Sequence, residues 1–120
     1  MSNQLNPPGE SLARKILRPV PYKERFPAGR LKPPVGVIPG DVRSLPELHL
    51  YLEPDEASLP GIRLEALPEW IENRIGDADL AESIRTVVAA QENYVDGCLK
   101  VHAVLGRRLD QARSVIGASA

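Results

Sequence analysis

The side chains that could do chemistry are few and lie far apart in the sequence. Cys98 and His102 are four residues apart, a spacing that on a helix turns both toward the same space and could supply half of a zinc site. Zinc needs two more ligands, but His49 is the only other histidine and there is no second cysteine. We therefore interpret the pair as a thiol and an imidazole packed in a helix interface, and we predict no metal or other cofactor.

Two acidic pairs, Asp55–Glu56 and Asp77/Asp79, are the remaining candidates for acid–base catalysis. A carboxylate pair becomes catalytic when its surroundings separate the two pKa values. Asp55–Glu56 lies in the turn-like stretch EPDEAS, whereas Asp77 and Asp79 are typical of a helix start. The chain also lacks a phosphate-binding glycine loop and a nucleophile elbow. We predict that the protein is not an enzyme.

Charge is unevenly distributed along the chain. Residues 1–40 contain seven basic and two acidic side chains, residues 41–82 three basic and eleven acidic, and residues 83–120 five basic and three acidic. The basic N-terminal part could follow a phosphate backbone, but Tyr22 and Phe26 are its only rings for base stacking. Because apolar residues alternate with the charges, a protein partner is favoured and nucleic acid is the less favoured one.

No targeting or membrane segment is predicted. The N-terminus is polar, and no stretch approaches the roughly 18 apolar residues that a membrane-spanning helix requires. We expect the protein in the cytoplasm or in a virion, with no membrane partner.

The prolines divide the chain, since all twelve lie between Pro7 and Pro68. This pattern predicts an extended, proline-rich basic arm over 1–46, an acidic linker with a short strand over 47–66 and a helical body over 67–120. Within the arm, the stretch from Glu10 to Arg18 predicts a short helix. From Pro19 to Pro46 the prolines recur too often for a regular element, so polyproline-like backbone that reaches away from the body is expected.

The rest of the chain predicts a mainly α-helical fold with one short strand. Leu48–Glu53 (LHLYLE) alternates apolar and polar residues, which indicates a strand at a sheet edge or one paired with a neighbour. Leu67–Gly76 predicts a helix of about two turns that ends at the glycine.

One long helix is predicted to complete the body. Asp79 and Glu82 are spaced as a capping box, and the helix is expected to run from there to about Ile116, bent near Gly97 or Gly106 if anywhere. The body would then be a helical hairpin or a coiled-coil-like bundle.

The long helix has apolar residues at alternating spacings of four and three, and its apolar band is wide. Such a band suits a helix that is covered on two sides. The predicted helix-interface residues are Trp70, Ile84, Val88, Val95, Cys98, His102, Leu105 and Leu109.

The arm also has buried-type side chains, which we predict to bind a partner. Proline-restricted backbone loses less entropy than a flexible tail when it is ordered on another surface. The predicted partner-binding residues are Tyr22, Arg25, Phe26, Arg30, Leu31, Lys32, Val35, Val37 and Ile38. Deletion of residues 1–40 is accordingly expected to leave the helical body folded.

The leading hypothesis is a non-enzymatic structural or interaction protein. It would be a small accessory subunit of a large assembly such as a bacteriophage virion, as a capsid-stabilising, head–tail joining or tail-adaptor protein, and would bind subunits of the same or another kind. This is an analogy from architecture, since the residues contain no motif that identifies a family. The alternative is a dimeric helical regulatory or adaptor protein whose basic arm binds a partner protein or nucleic acid.

Overall fold

The computed structural model describes residues 6–54 and 59–119, and within them the chain is mostly helical with a small sheet. The helices are α1 (Glu10–Leu17), α2 (Leu45–Tyr51), α3 (Leu67–Trp70), α4 (Ala78–Ala89) and α5 (Tyr94–Ser119). The strands are β1 (Phe26–Lys32), β2 (Gly36–Val42) and β3 (Leu59–Pro60). Ile71–Ile75 continues α3 as a wider π-type helix.

Helix α5 is the centre of the core, because α1, α2 and α4 all pack against it. Each of these helices contributes buried apolar side chains. They are Ala13 and Ile16 of α1, Leu45 and Leu48 of α2, Leu80 and Ile84 of α4, and Val101, Leu105, Leu109 and Ala112 of α5. The wide apolar band of the predicted long helix is therefore covered by the protein's own helices.

The prediction of an arm that reaches away from the body is wrong. Helix α1 forms as predicted, but Ala13 and Ile16 are buried on α5. After it, the Val20 N–H donates to the Arg43 carbonyl at 2.6 Å, and Phe26 packs its ring on Trp70 with the centroids 5.6 Å apart. A deletion of residues 1–40 would remove these core side chains, so the body is not expected to survive it.

The proline-rich segment after α1 forms a β-hairpin, which the sequence analysis missed. Strands β1 and β2 pair antiparallel from Phe26↔Val42 to Lys32↔Gly36, and the sheet order β2-β1-β3 makes β1 the central strand. In an antiparallel ladder every second pair exchanges no hydrogen bonds. The Gly29 carbonyl points toward β3, where it accepts from the Gly61 N–H, so the pair Gly29↔Pro39 exchanges no hydrogen bonds, and neither does Pro27↔Asp41, two residues away. The prolines thus cost the ladder no bond.

Strand β3 reaches the hairpin through two glycines. The Gly61 N–H donates to the Gly29 carbonyl at 2.6 Å. A Cβ on Gly61 would lie 3.2 Å from the Gly29 backbone, so a larger residue would push these two segments of the chain apart. Glycine here allows the third strand to add to the sheet.

The predicted strand Leu48–Glu53 does not form: its first four residues lie in α2, and Leu52 and Glu53 follow the end of that helix. Ser44 caps this helix by accepting from the Glu47 N–H at 3.2 Å, and the Glu47 carboxylate accepts in turn from the Arg43 N–H at 2.7 Å. These capping bonds stabilise a helix here, although the alternating apolar and polar residues of Leu48–Glu53 are typical of a strand. The buried residues recur at helical spacings of three and four: Leu45, Leu48 and Leu52.

The short helix over Leu67–Gly76 is confirmed. Trp70, Ile71 and Ile75 are buried, as their shared side predicted. Gly76 ends the helix with φ of 92°, a left-handed conformation that favours glycine.

A long C-terminal helix is confirmed as α5, but its predicted start at Asp79 is wrong, because the chain turns between Ala89 and Tyr94 and forms the helical hairpin α4–α5. Neither glycine nor proline causes the break. The Asn93 side chain accepts from the Asp96 N–H at 2.9 Å, and the Asp96 carboxylate accepts from the Glu92 N–H at 2.9 Å. This reciprocal cap starts a new helix at Tyr94.

The cap of α4 is Asp77, two residues before the predicted Asp79. Its carboxylate accepts from the Leu80 N–H at 3.0 Å and also binds the Arg108 guanidinium at 2.7 and 3.0 Å. Arg108 is 1% exposed and donates further to the Asn6 carbonyl and the Gln111 side chain. One buried ion pair therefore joins the start of α4, the middle of α5 and the N-terminal segment.

We predict that Arg108→Met destabilises the fold by about 3–5 kcal/mol, because it leaves the Asp77 carboxylate buried without its partner. Urea denaturation followed by circular dichroism measures this. The double variant Asp77→Asn/Arg108→Met, which keeps a cap acceptor, should recover part of the loss. A loss for Arg108→Met below about 1 kcal/mol, as for an exposed pair, would contradict the importance given to the pair.

We predict that Trp70→Ala destabilises the fold by about 3–5 kcal/mol, the range for loss of a buried large aromatic side chain. The ring is 8% exposed, contacts Phe26 and donates from Nε1 to the Glu24 carbonyl at 2.7 Å. Trp70→Phe, which loses the hydrogen bond but keeps most of the ring, serves as the control in the same denaturation experiment. Equal losses for the two variants would assign the effect to the hydrogen bond alone.

Candidate functional site

The sheet has one face with no element of the described chain packed over it. Cross-strand partners share a face, and Val37↔Leu31 and Leu31↔Leu59 place three apolar side chains in one row across the three strands. Val37 is 69% exposed, Leu31 39% and Leu59 41%. We call this side the outer sheet face; its members are Pro27, Gly29, Leu31, Val37, Pro39, Asp41 and Leu59.

The opposite face of the sheet is held by α2. The Arg30 guanidinium lies over the Tyr51 ring, 4.9 Å from its centroid, and donates to the Tyr51 carbonyl at 2.6 Å. The Tyr51 hydroxyl lies under Gly40, where an added Cβ would be only 2.7 Å from it. These contacts fix which side of the hairpin turns outward.

The hairpin tip extends the apolar surface. Val35, in the turn between the strands, is 73% exposed, and Ile38 is exposed on the inner side beyond Tyr51. Lys32 ends β1 beside them and has no ion-pair partner within residues 6–54 and 59–119. The tip therefore combines bare apolar side chains with one available cation.

The outer edge of β2 is less suited to a partner than the face. Pro39 lies in the middle of this edge strand and has no N–H to donate. A continuous added strand would lose a hydrogen bond at that point. Contact through side chains on the outer sheet face is the arrangement that the geometry favours.

Five of the nine predicted partner-binding residues are exposed on the hairpin: Leu31 and Val37 on the outer sheet face, Lys32 and Val35 at the tip, and Ile38 on the inner side. The other four have contacts within the chain. Phe26 is buried against Trp70, Arg30 contacts Tyr51, and Arg25 binds Asp41 at 3.1 Å while lying 4.0 Å from the centroid of the exposed Tyr22 ring.

The predicted helix-interface residues lie on α3, α4 and α5 of one chain. Trp70, Ile84, Cys98, Leu105 and Leu109 are buried, Val88 and His102 are half-buried, and Val95 is exposed. Leu59, a member of the outer sheet face, was not among the residues predicted to bind a partner. Strand β3 is too short to show alternation, and its place in the row depends on a register with residues about 30 positions earlier.

Cys98 and His102, the two residues considered as half of a zinc site, each contact another ring or hydroxyl group. His102 stacks on His49, with centroids 4.1 Å apart and the rings 12° from parallel. Burial raises the pKa of the Cys98 thiol, which contacts the Tyr94 hydroxyl. Burial also raises the pKa of Tyr94 to about 12. The Tyr94 hydroxyl accepts a hydrogen bond from the Ile62 N–H at 2.9 Å and donates one to the Pro60 carbonyl. Asp55 and Glu56 lie outside the described residues.

Within the described ranges, no three His, Cys, Asp or Glu side chains are grouped so that they could hold a metal ion. No helix among them has an apolar stretch long enough to cross a membrane. No protein-family model matches the chain, and neither a curated protein nor a solved structure is similar to it.

We predict that the fold loses stability as the pH falls below about 6.5, the ordinary pKa of histidine. Burial lowers the pKa of His49, and repulsion from His102 and Arg113 lowers it further, against opposing effects of Glu53 and Asp110. The unfolded chain therefore takes up the proton more readily, so the contribution is complete above the unfolded pKa and lost below it.

Urea denaturation at several pH values from neutral to mildly acidic checks this prediction. His49→Gln, which keeps a flat polar group on His102, should reduce the slope of unfolding free energy against pH in that window. Equal slopes for the wild type and the variant would show that His49 is not responsible.

Proposed function

We propose that the protein is a non-enzymatic accessory subunit of a larger assembly and that it docks on a neighbouring protein through its outer sheet face. The observation that carries this proposal is the row Val37–Leu31–Leu59, exposed at a position fixed by the underlying helix α2. Exposed apolar residues on a rigid sheet lose little conformational entropy when they bind.

The charges around the outer sheet face favour a particular kind of partner. Asp41 at its base is already paired with Arg25, whereas Lys32 at its tip has no such partner in the described chain. The complementary surface is an apolar protein patch with a carboxylate at its border. The proposed partner is therefore a different protein of the same assembly.

Small virion proteins of bacteriophages, such as capsid-stabilising, head–tail joining or tail-adaptor proteins, are one class of such subunits, and they stay within the proposal. In this analogy the binding element was expected to be an extended arm. The folded hairpin now replaces the arm as the docking element, with its apolar residues in the same part of the sequence.

The alternative, a dimeric helical adaptor, has less support. A dimerising helix needs a continuous apolar face for the second copy. The corresponding band of α5 is occupied by α1, α2 and α4, and the exposed large hydrophobic residues of α5, Tyr94, Val95 and Leu99, lie within its first two turns.

We predict that a photo-crosslinking amino acid at Val37 joins the protein to one particular neighbouring subunit in its native cell. Leu50 is the matched control, because it is an equally exposed apolar residue, at 65%, but lies on α2. Mass spectrometry of the adducts identifies the partner, and Val35→Glu should abolish the Val37 adduct without changing the circular dichroism spectrum.

Three results would count against the proposal. Equal adducts from Val37 and Leu50 would show that the contact is not specific to the outer sheet face. Absence of any adduct at Val37 would remove the docking surface itself. An adduct to a second copy of the chain would replace the proposed partner by self-association.

A further inference from the structure

A cavity of about 300 Å³ lies on another part of the molecule, between the end of α1, the following segment and the π-type helix after α3. Three cationic side chains line it: Lys15, Arg18 and Arg74. Asn73 adds an amide, Val20 and Ile75 add apolar wall, and Glu24 is the one carboxylate among the lining residues.

The side chains of these three cations are unlike those of several other arginines of the protein. Within residues 6–54 and 59–119, none of the three side chains forms a hydrogen bond or an ion pair. By contrast, the adjacent Arg14 is paired with Glu10 at 3.2 Å, and Arg85 is paired with Glu72 at 2.9 Å. Like charges that share a cavity repel each other, and an anion between them would relieve that repulsion.

The backbone that holds these cations is fixed by the core. Lys15 and Arg18 flank the buried Ile16 of α1, and Arg74 precedes the buried Ile75. The Lys15 side chain lies beside Gly76, within ordinary van der Waals distance, 3.9 Å, of where a Cβ would be. The site therefore needs only side-chain adjustment to close on a ligand.

We propose that this cavity binds a compact, phosphate-bearing small ligand. Two guanidinium groups, an ammonium group and an amide are donors suited to several oxygens of a polyphosphate or phosphate ester. A nucleic-acid backbone fits less well, because it needs a track of cations and stacking rings, whereas these cations line one concavity. This proposal does not depend on the docking function.

Isothermal titration of the full chain with inorganic pyrophosphate, at low ionic strength, tests the site. We expect binding by the wild type and a loss of about tenfold or more in affinity for Arg18→Gln and for Arg74→Gln, as for removal of a charge-assisted hydrogen bond. Arg14→Gln removes a charge of the same helix outside the cavity and should bind as the wild type does. Glu24→Gln removes the one lining carboxylate and should bind more tightly.

Two results would overturn the proposal. The first is no heat of binding for the wild type at millimolar pyrophosphate while circular dichroism shows it folded. The second is an equal loss in Arg14→Gln, Arg18→Gln and Arg74→Gln, which would indicate general charge attraction rather than a site. A single-stranded oligonucleotide that binds when pyrophosphate does not, and loses affinity equally in all three variants, would assign the cations to a nucleic-acid surface instead.

Discussion

The buried pair Arg108–Asp77 is the constraint on which the arrangement of the helices depends. Both side chains are about 1% exposed, and a charge buried at that depth is tolerated only when its hydrogen bonds are satisfied. Asp77 satisfies the first turn of α4, and Arg108 bonds the Asn6 carbonyl across 102 positions of sequence. Any change in the angle between α4 and α5 would break several of these bonds together, so the pair fixes the geometry of the hairpin more than it adds net stability.

Fixing α4 and α5 determines where the N-terminal half can go. Ile16 of α1 occupies the surface of α5, and the Trp70 ring offers a contact to Phe26 at the base of the sheet. The proline-rich segment is thereby anchored at both ends, and the part over which no described element packs is the outer sheet face and its tip. The exposed apolar residues are thus a consequence of how the core is closed: the anchors use the inner face of the sheet and leave the outer one bare.

Sequence reasoning succeeded where local signals act alone and failed where distant contacts decide. Helix α1 was predictable from the spacing of its apolar residues and the helix ending at Gly76 from its C-terminal glycine, signals that lie within about ten residues. The hairpin was not, because a proline count ignores that Pro27 and Pro39 fall on pairs without hydrogen bonds, and that register exists only once the strands meet. The break before Tyr94 did have a local signal, Asn93 followed by Asp96, which the long apolar band concealed. For the candidate site, the sequence identified most of the exposed apolar residues. It could not show that they share one face, that Leu59 belongs with them, or that Phe26 is buried in the core.

The positive charge of the first 40 residues acquires a different meaning once the fold is known. Arg14, Arg25 and Arg30 are engaged by Glu10, Asp41 and Tyr51 within the chain, so the segment does not present one continuous basic surface. The other cations of this segment form no ion pair among the described residues and lie apart: Lys32 at the hairpin tip, Lys15 and Arg18 at the cavity, and Lys23 between α1 and β1. Cations that are separated in this way act as short-range complements to particular groups rather than as a long track for a phosphate backbone. The fold therefore turns a basic segment, which composition alone relates to nucleic acid, into an apolar face suited to protein and a separate pocket suited to a small anion.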